Sequence, residues 1–491
     1  MSMLRDKIRA YLGRPQTNYY MLLLVSFVLV AFGLVMVQSS SMVVSYAQDS
    51  SAFAEFLKQA AIVFVGLIGM WFAMRLRPTT IQMLAPWMLA IAFVLLIAVL
   101  FIGVGGEEVG SNSWIRLGPV GVQPSEAAKL ALAVWGATVV SKAMRQTHRF
   151  NSVLGPFLTV SAAILALVLL QKDLGMMLTV GIVVVAIMFF SGVNSRALLA
   201  ALAVIAVTGI ASIVAQSFRS ARISTWLSTL RLNFPDSTTQ GSAYQSYQGI
   251  LSLSDGGLTG AGLGQSRAKW FYLPEAKNDF IFAVIGEELG ILGTIGVVVL
   301  FALLGWFGIR TAMAQVDPFL RLLAATLTVG IVAQAFYNMG YVVGFFPMTG
   351  VQLPLISAGG SSAIITLVSL GLLCNCARHE PAAISSMQHE GRCRFDRIFM
   401  LPEPQPYVPG IQRRVERRTT TEHYGEPVTR QQRSAGRSGQ DVRRERDRVE
   451  QSMQRVGGAP RRGYDGARRQ TLPPSGSVKR RVNPSNRSRR R

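Results

Sequence analysis

Four polar clusters interrupt an otherwise apolar sequence, and each holds side chains able to do chemistry. The first is Gln123-Pro124-Ser125-Glu126-Ala127-Ala128-Lys129. Glu126 and Lys129 stand three positions apart, so on a helix they are neighbours that can pair. A charge at membrane depth is costly unless paired or hydrated, so such a pair either ties helices together or serves a polar substrate. The second is Gln171-Lys172-Asp173-Leu174-Gly175, a tight turn in which Asp173 caps the next helix or faces a ligand. The third is Lys277-Asn278-Asp279-Phe280-Ile281-Phe282, followed two turns on by Gly286-Glu287-Glu288-Leu289-Gly290. Asp279 can cap its helix or move a proton. Glu287 and Glu288 are adjacent, so both cannot face lipid. The fourth runs from Pro347-Met348-Thr349-Gly350 to Ser357-Ala358-Gly359-Gly360-Ser361-Ser362. Small and hydroxyl residues there permit close helix packing or a broken helix lining a cavity.

The frame around these clusters is a membrane body. Half of the 491 residues are hydrophobic and 15% are charged, against about 25% in soluble chains. Ten stretches are apolar enough to predict transmembrane helices: 19–37, 57–74, 83–103, 127–140, 153–170, 174–190, 197–215, 280–301, 320–343 and 356–374. With the N-terminus cytoplasmic, the inner short segments hold twelve Lys/Arg and the outer ones four, which sets the orientation and leaves both termini inside. The expected fold class is an all-α integral membrane protein of ten transmembrane helices. Its parts are a cytoplasmic segment at 1–18, a membrane domain at 19–377 and a tail at 378–491. A large extracellular loop at 216–278, between helices seven and eight, carries aromatics and six bases and should form amphipathic or re-entrant segments. From Pro381 onward 26 Lys/Arg face 11 Asp/Glu with few apolar residues, predicting a disordered basic cytoplasmic tail. Its bases suit anionic membrane lipids or a cytoplasmic partner. No folded nucleic-acid-reading module is recognisable, so nucleic acid is not an expected partner.

Orientation also limits the chemistry. The histidines (148, 379, 389, 423) and cysteines (374, 376, 393) all fall on the inner side. A reaction at the outer clusters must then use carboxylates, lysines, hydroxyls or a metal held by oxygen. Gly260-Ala261-Gly262-Leu263-Gly264 lacks the Gly-Lys-Ser/Thr of a phosphate loop and reads as a turn, so ATP is not expected to be used.

In order along the chain, Trp114-Ile115-Arg116, the Gln123–Lys129 cluster, Asp173-Leu174-Gly175, Tyr272-Leu273-Pro274-Glu275 with Asp279-Phe280-Ile281-Phe282, Gly286–Gly290 and the Pro347–Ser362 segment resemble the SEDS family (shape, elongation, division and sporulation). The resemblance covers roughly residues 15–380. Phe271-Tyr272-Leu273-Pro274-Glu275-Ala276 and Ala377-Arg378-His379-Glu380 resemble its division branch, and the long basic tail an actinobacterial member. Lys172 stands where the family commonly has Pro, and Ala358 where it commonly has Tyr.

The resemblance implies a peptidoglycan glycosyltransferase. Such enzymes polymerise lipid II, an undecaprenyl-pyrophosphate-linked disaccharide-pentapeptide, at the outer face of the cytoplasmic membrane, here at the division septum. The implied partners are a class B penicillin-binding protein and other division proteins, the latter through the tail. Asp279 falls on the family's catalytic aspartate and is the expected base. A helix N-terminus favours the ionised carboxylate and weakens it as a base, which leaves open a second role, positioning a divalent cation (magnesium or manganese). Expected substrate contacts are Glu126, Lys129, Arg116, Asp173, Lys269, Lys277, Glu287, Glu288, Ser357, Gly359, Gly360 and Ser361, with Lys129, Arg116, Arg267, Lys269 and Lys277 set against the diphosphate. Two other classes fit a many-helix body. A lipid II flippase would need polar residues through its whole depth, and a non-enzymatic division scaffold would leave Glu126, Lys129, Glu287 and Glu288 without a purpose.

Overall fold

In the computed structural model, the described residues are 13–105, 111–118, 120–144, 150–214, 217–231, 242–267, 269–270, 273 and 276–407. They fall in a compact unit spanning Met1–Val408, and the second unit, Pro409–Arg491, lies outside them. So do the cytoplasmic segment up to residue 12 and the greater part of the expected disordered tail.

Each predicted apolar stretch coincides with a helix. These are α1 (Thr17–Asp49), α2 (Ala54–Arg75), α3 (Pro78–Ile102), α4 (Pro124–Met144), α5 (Phe150–Leu170), α6 (Leu174–Phe190) and α7 (Ser195–Val214). After α8 (Ser217–Leu230) and α9 (Ser242–Asp255) come α10 (Ile281–Ala314), α11 (Pro318–Val342) and α12 (Gly360–Arg378). Eight helices among the described residues are long and apolar enough to cross a membrane, while the apolar parts of α5 and α6 are shorter. Starts are set by local chemistry. Pro318 occupies the first turn of α11, where a missing N–H costs nothing, and Asp317 accepts the Phe319 N–H at 3.0 Å. Burial sorts the helices. The most apolar windows of α4, α11 and α12 are 67%, 72% and 78% buried and form the centre, whereas that of α7 is 0% buried and peripheral.

The 216–278 segment contains the two helices α8 and α9, with Trp226 Nε1–H donating to the Gly344 carbonyl at 3.1 Å. Two features depart from the sequence reading. First, the body is not purely α-helical: β1 (Ile115–Leu117) and β2 (Val120–Val122) pair antiparallel, with Arg116 opposite Gly121. Second, order continues past residue 378, where the tail was expected to begin. There α13 (Pro381–Glu390) and α14 (Arg394–Ile398) fold against the bundle. Arg378 pairs with Asp396 at 2.7 Å, both essentially inaccessible, and Asp396 also accepts the Tyr19 hydroxyl at 2.7 Å. Asn18 Nδ2 reaches the Glu380 carboxylate at 3.0 Å. Burial lowers the His379 pKa to about 4, so this ring is neutral at neutral pH. The compositional break at Pro381 thus precedes the structural one. A chain ended after Tyr407 should melt within a degree or so of the full-length protein. One ended after Glu380 leaves Arg378 without its carboxylate and should melt several degrees lower. Thermal melts of the detergent-solubilised chains check both.

One kink bears on the site. Within α10, Gly290 adopts φ +65°, which breaks the helix and is open to glycine at little cost. The loop after α9 closes onto this kink. The Ala261 and Gly262 N–H groups donate to the Glu287 and Glu288 carbonyls at 2.9 and 3.0 Å, and Gly260 lies so near that a Cβ would be 2.1 Å from the Glu288 carbonyl oxygen.

Candidate active site

The N-terminal ends of α2, α6 and α10, the β1–β2 hairpin and the 347–352 segment surround a cavity of about 550 Å³. Three carboxylates (Glu55, Asp173, Asp279) and four cations (Lys58, Arg116, Lys172, Arg222) line it. Like charges from distant segments are gathered here despite their mutual repulsion, which a purely structural cavity has no need of.

Asp279 sits at this wall, 9% exposed. Its backbone is held from two sides. Asn338 Nδ2 and the Tyr341 hydroxyl, both on α11, donate to the Asp279 carbonyl at 3.0 and 2.9 Å. Ser357 Oγ donates to the preceding Asn278 carbonyl at 2.6 Å while accepting the Leu353 N–H at 2.9 Å. The cap position of α10 is Phe280, so Asp279 lies one residue before the cap. Across from it is Gly350, where a Cβ would come within 3.3 Å of Oδ2.

Asp173 takes the capping role, one of the two that the sequence left open, and also lines the cavity. Its Oδ1 accepts the Met176 N–H at 2.9 Å, capping α6, and its Oδ2 accepts Gln123 Nε2–H at 2.9 Å. Burial pushes its carboxyl above the usual range, against the stabilising hydrogen bonds from Met176, Ser113 and Gln123. Asn is an equally good cap. Asp173→Asn should therefore change the melting temperature by less than a few degrees, and the same thermal melt would show it.

The remaining expected residues divide. Arg116 and Gly360 line the cavity. Ser361 Oγ accepts the Gln123 N–H at 2.9 Å, and Gly359 leaves room for Gln352, whose Oε1 would lie 2.1 Å from a Cβ there. Glu126 and Lys129 pair at 2.7 Å within the bundle and share Gln334 of α11. Lys277 pairs with Glu55 at 2.9 Å, beside the cavity. Lys269 is buried against Glu288 at 3.5 Å and the Gly264 carbonyl, while Ser266 Oγ donates to Glu287 at 2.7 Å. The two glutamates therefore fasten the 260–267 loop to α10. Of the five cations set against the diphosphate, only Arg116 lines the cavity. The others there, Lys58, Lys172 and Arg222, were not expected as site residues.

Lys172 takes φ +60°, which a proline, fixed near −65°, cannot adopt. Both departures from the family pattern, Lys172 and Ala358, line the cavity. Sequence did offer a signal for Asn338 and Tyr341, which hold the Asp279 carbonyl, and for Gln334, which joins Glu126 and Lys129. Gln334, Asn338 and Tyr341 follow one another at intervals of four and three, one polar edge of an otherwise apolar helix.

Residues 19–382 match the family model described as "Cell cycle protein", whose name joins FtsW, RodA and SpoVE. The chain belongs to this family. It is the family of the SEDS resemblance. Among its relatives, a Mycobacterium tuberculosis protein named probable peptidoglycan glycosyltransferase FtsW is 41% identical over 405 residues, 82% of this chain and 76% of that protein. Stage V sporulation protein E of Bacillus subtilis is 35% identical over 73% of this chain and 96% of its own. Among solved structures, a chain of a peptidoglycan synthase complex, described as coordinating polymerization and crosslinking, aligns with TM-score 0.58 and 25% identity over 74% of this chain and 98% of that one. The Thermus thermophilus rod-shape-determining protein RodA aligns with TM-score 0.53 and 26% identity, over 73% and 96%. Membership makes this a multi-pass membrane protein of the cell-division machinery.

A divalent cation at Asp279 can be tested against the side chains present. Among the described residues no three His, Cys, Asp or Glu groups converge as a metal cluster. A cation there would be held by the Asp279 carboxylate, water and phosphate oxygens, a donor set that suits magnesium.

Proposed function

We propose that this chain is a peptidoglycan glycosyltransferase that polymerises lipid II into glycan strands at the division septum. The ten helices cross the cytoplasmic membrane with both termini inside, so the cavity opens on the outer face. A class B penicillin-binding protein is the partner that crosslinks the product. The observation that carries this is the cavity itself, a carboxylate fixed through its backbone among four cations.

The reaction joins the 4-hydroxyl of one GlcNAc to C1 of a MurNAc, and the lipid diphosphate departs. A C–O bond forms as the C1–O–phosphate bond breaks, the hydroxyl proton goes to a base, and the diphosphate leaves with the bonding pair. Asp279 is the base, its carboxylate set at the cavity wall by the Asn338–Tyr341 clamp on its carbonyl. Lys58, Arg116, Lys172 and Arg222 supply positive charge where the diphosphate gains negative charge, and such preorganised charge lowers the barrier most. A bound divalent cation would add charge stabilisation to the same diphosphate. Asp173, capping α6, also lines this cavity.

The test uses purified protein and labelled lipid II, with and without the partner, resolved on a gel. Glycan ladders are expected. Transfer between leaflets without a ladder would make the chain a flippase and overturn the proposal.

A further inference from the structure

We infer that Arg394–Met400 is a lipid anchor, seating Ile398 and Met400 among acyl chains and Arg394 and Arg397 against anionic headgroups, in the leaflet at the N-terminal end of α1. Depth is the first reason. The Phe395 ring lies 6.4 Å from that of Tyr19 and 6.5 Å from that of Phe27. Those α1 residues are separated by about 12 Å along the axis, both within the apolar 19–37 run. On the other flank, Trp71 Nε1–H donates to the Phe399 carbonyl at 2.8 Å, a full turn before α2 ends at Arg75. The segment therefore lies beside the spanning helices and not beyond their ends.

The second reason is how the segment sorts its side chains. Phe395 and Asp396 turn inward, and the Asp396 charge is sealed by Arg378 and Tyr19. Outward stand Ile398 and Met400, 72% and 73% exposed, and on the flanking helices Phe27 and Phe72 are exposed as well. Met400 holds φ +51°, a costly conformation for a long side chain. The Leu401 N–H bond to the Asp396 carbonyl at 2.9 Å closes this turn, burying Leu401 and directing Met400 outward. A fold that orders itself to display apolar side chains at interfacial depth matches a membrane-seated segment.

Charge gives the third reason. Arg394 and Arg397, three apart on one face, are exposed, as is Arg75, which stacks over the Trp71 ring at 4.6 Å. Basic side chains rimming an apolar patch suit anionic phospholipid.

The full-length chain in nanodiscs tests this. Nitroxide labels go on Ile398→Cys, Met400→Cys and, as an aqueous reference, Glu403→Cys, each with Cys393→Ser. Cys374 and Cys376 are buried, and Ser can replace the Cys393 sulfur that caps α14. In discs containing phosphatidylglycerol, labels at 398 and 400 should collide with oxygen in preference to an aqueous nickel chelate, with the opposite preference at 403. Arg394→Gln with Arg397→Gln should reduce the oxygen preference to its value in pure phosphatidylcholine. Nickel access at 398 and 400 equal to that at 403 would overturn the inference and assign the patch to a protein partner. An oxygen preference indifferent to phosphatidylglycerol in the unmodified segment would overturn the headgroup contact.

Discussion

Asp279→Asn should abolish nearly all lipid II polymerisation while leaving the fold intact. The side chain keeps its size, and the Asn338 and Tyr341 bonds are to the backbone carbonyl, which the substitution does not touch. Helix α10 is capped at Phe280, so no cap is lost. What disappears is the capacity to take the acceptor hydroxyl's proton, and with it a good ligand for a hard cation. Loss of a general base costs about 10²–10⁴ in rate, or roughly 3–5 kcal/mol of barrier. Melting temperature and partner binding should stay near those of the unmodified protein. Asp173→Asn should fall less, because its main tie is the α6 cap, which Asn preserves. Glycan synthesis by Asp279→Asn at more than about a tenth of the normal rate would remove Asp279 from the chemistry.

The helices were legible because each apolar run is a local signal, and every one of the ten lies on a helix. Asp279 stood out as a carboxylate at the lip of an apolar run, where helix capping was an equally simple explanation, and its role as base came from the resemblance; the structure places it at the cavity wall. Three of the cavity's four cations were not legible. Arg116 was expected there, but Lys58, Lys172 and Arg222 come from three separated segments, and nothing local distinguishes them from ordinary boundary charges. Glu287 and Glu288 show the converse limit. Sequence marks a buried carboxylate as costly but not what compensates it, and here Ser266, Lys269 and the loop backbone do so. The tail's start was misplaced on the same ground. Arg378 and Asp396 both fall in the span expected as a disordered tail, yet together they form a sealed pair that ties α14 to the bundle.

Breaking the Glu126–Lys129 pair should be among the costliest single changes to stability among the expected site residues. The pair spans 2.7 Å with side chains 3% and 13% exposed. Removing either partner leaves a charge in the bundle, a loss of about 3–5 kcal/mol, toward the lower figure for Glu126→Ala because Lys129 retains some water. Reversing both charges restores the attraction but not the surroundings. Gln334 turns its Oε1 to Lys129 and its Nε2 to Glu126, and Nε2 also donates to the Gln352 carbonyl at 3.2 Å. A reversed pair would require the amide to flip, giving up the bond to Gln352. Position 126 also lies in the first turn of α4, where a cation opposes the helix dipole by about 0.3–1 kcal/mol. Glu126→Lys with Lys129→Glu should therefore recover part of the melting temperature lost by Glu126→Ala or Lys129→Ala, but not all. A double variant that melts no higher than the worse single one would mean that the two charges do not stabilise each other.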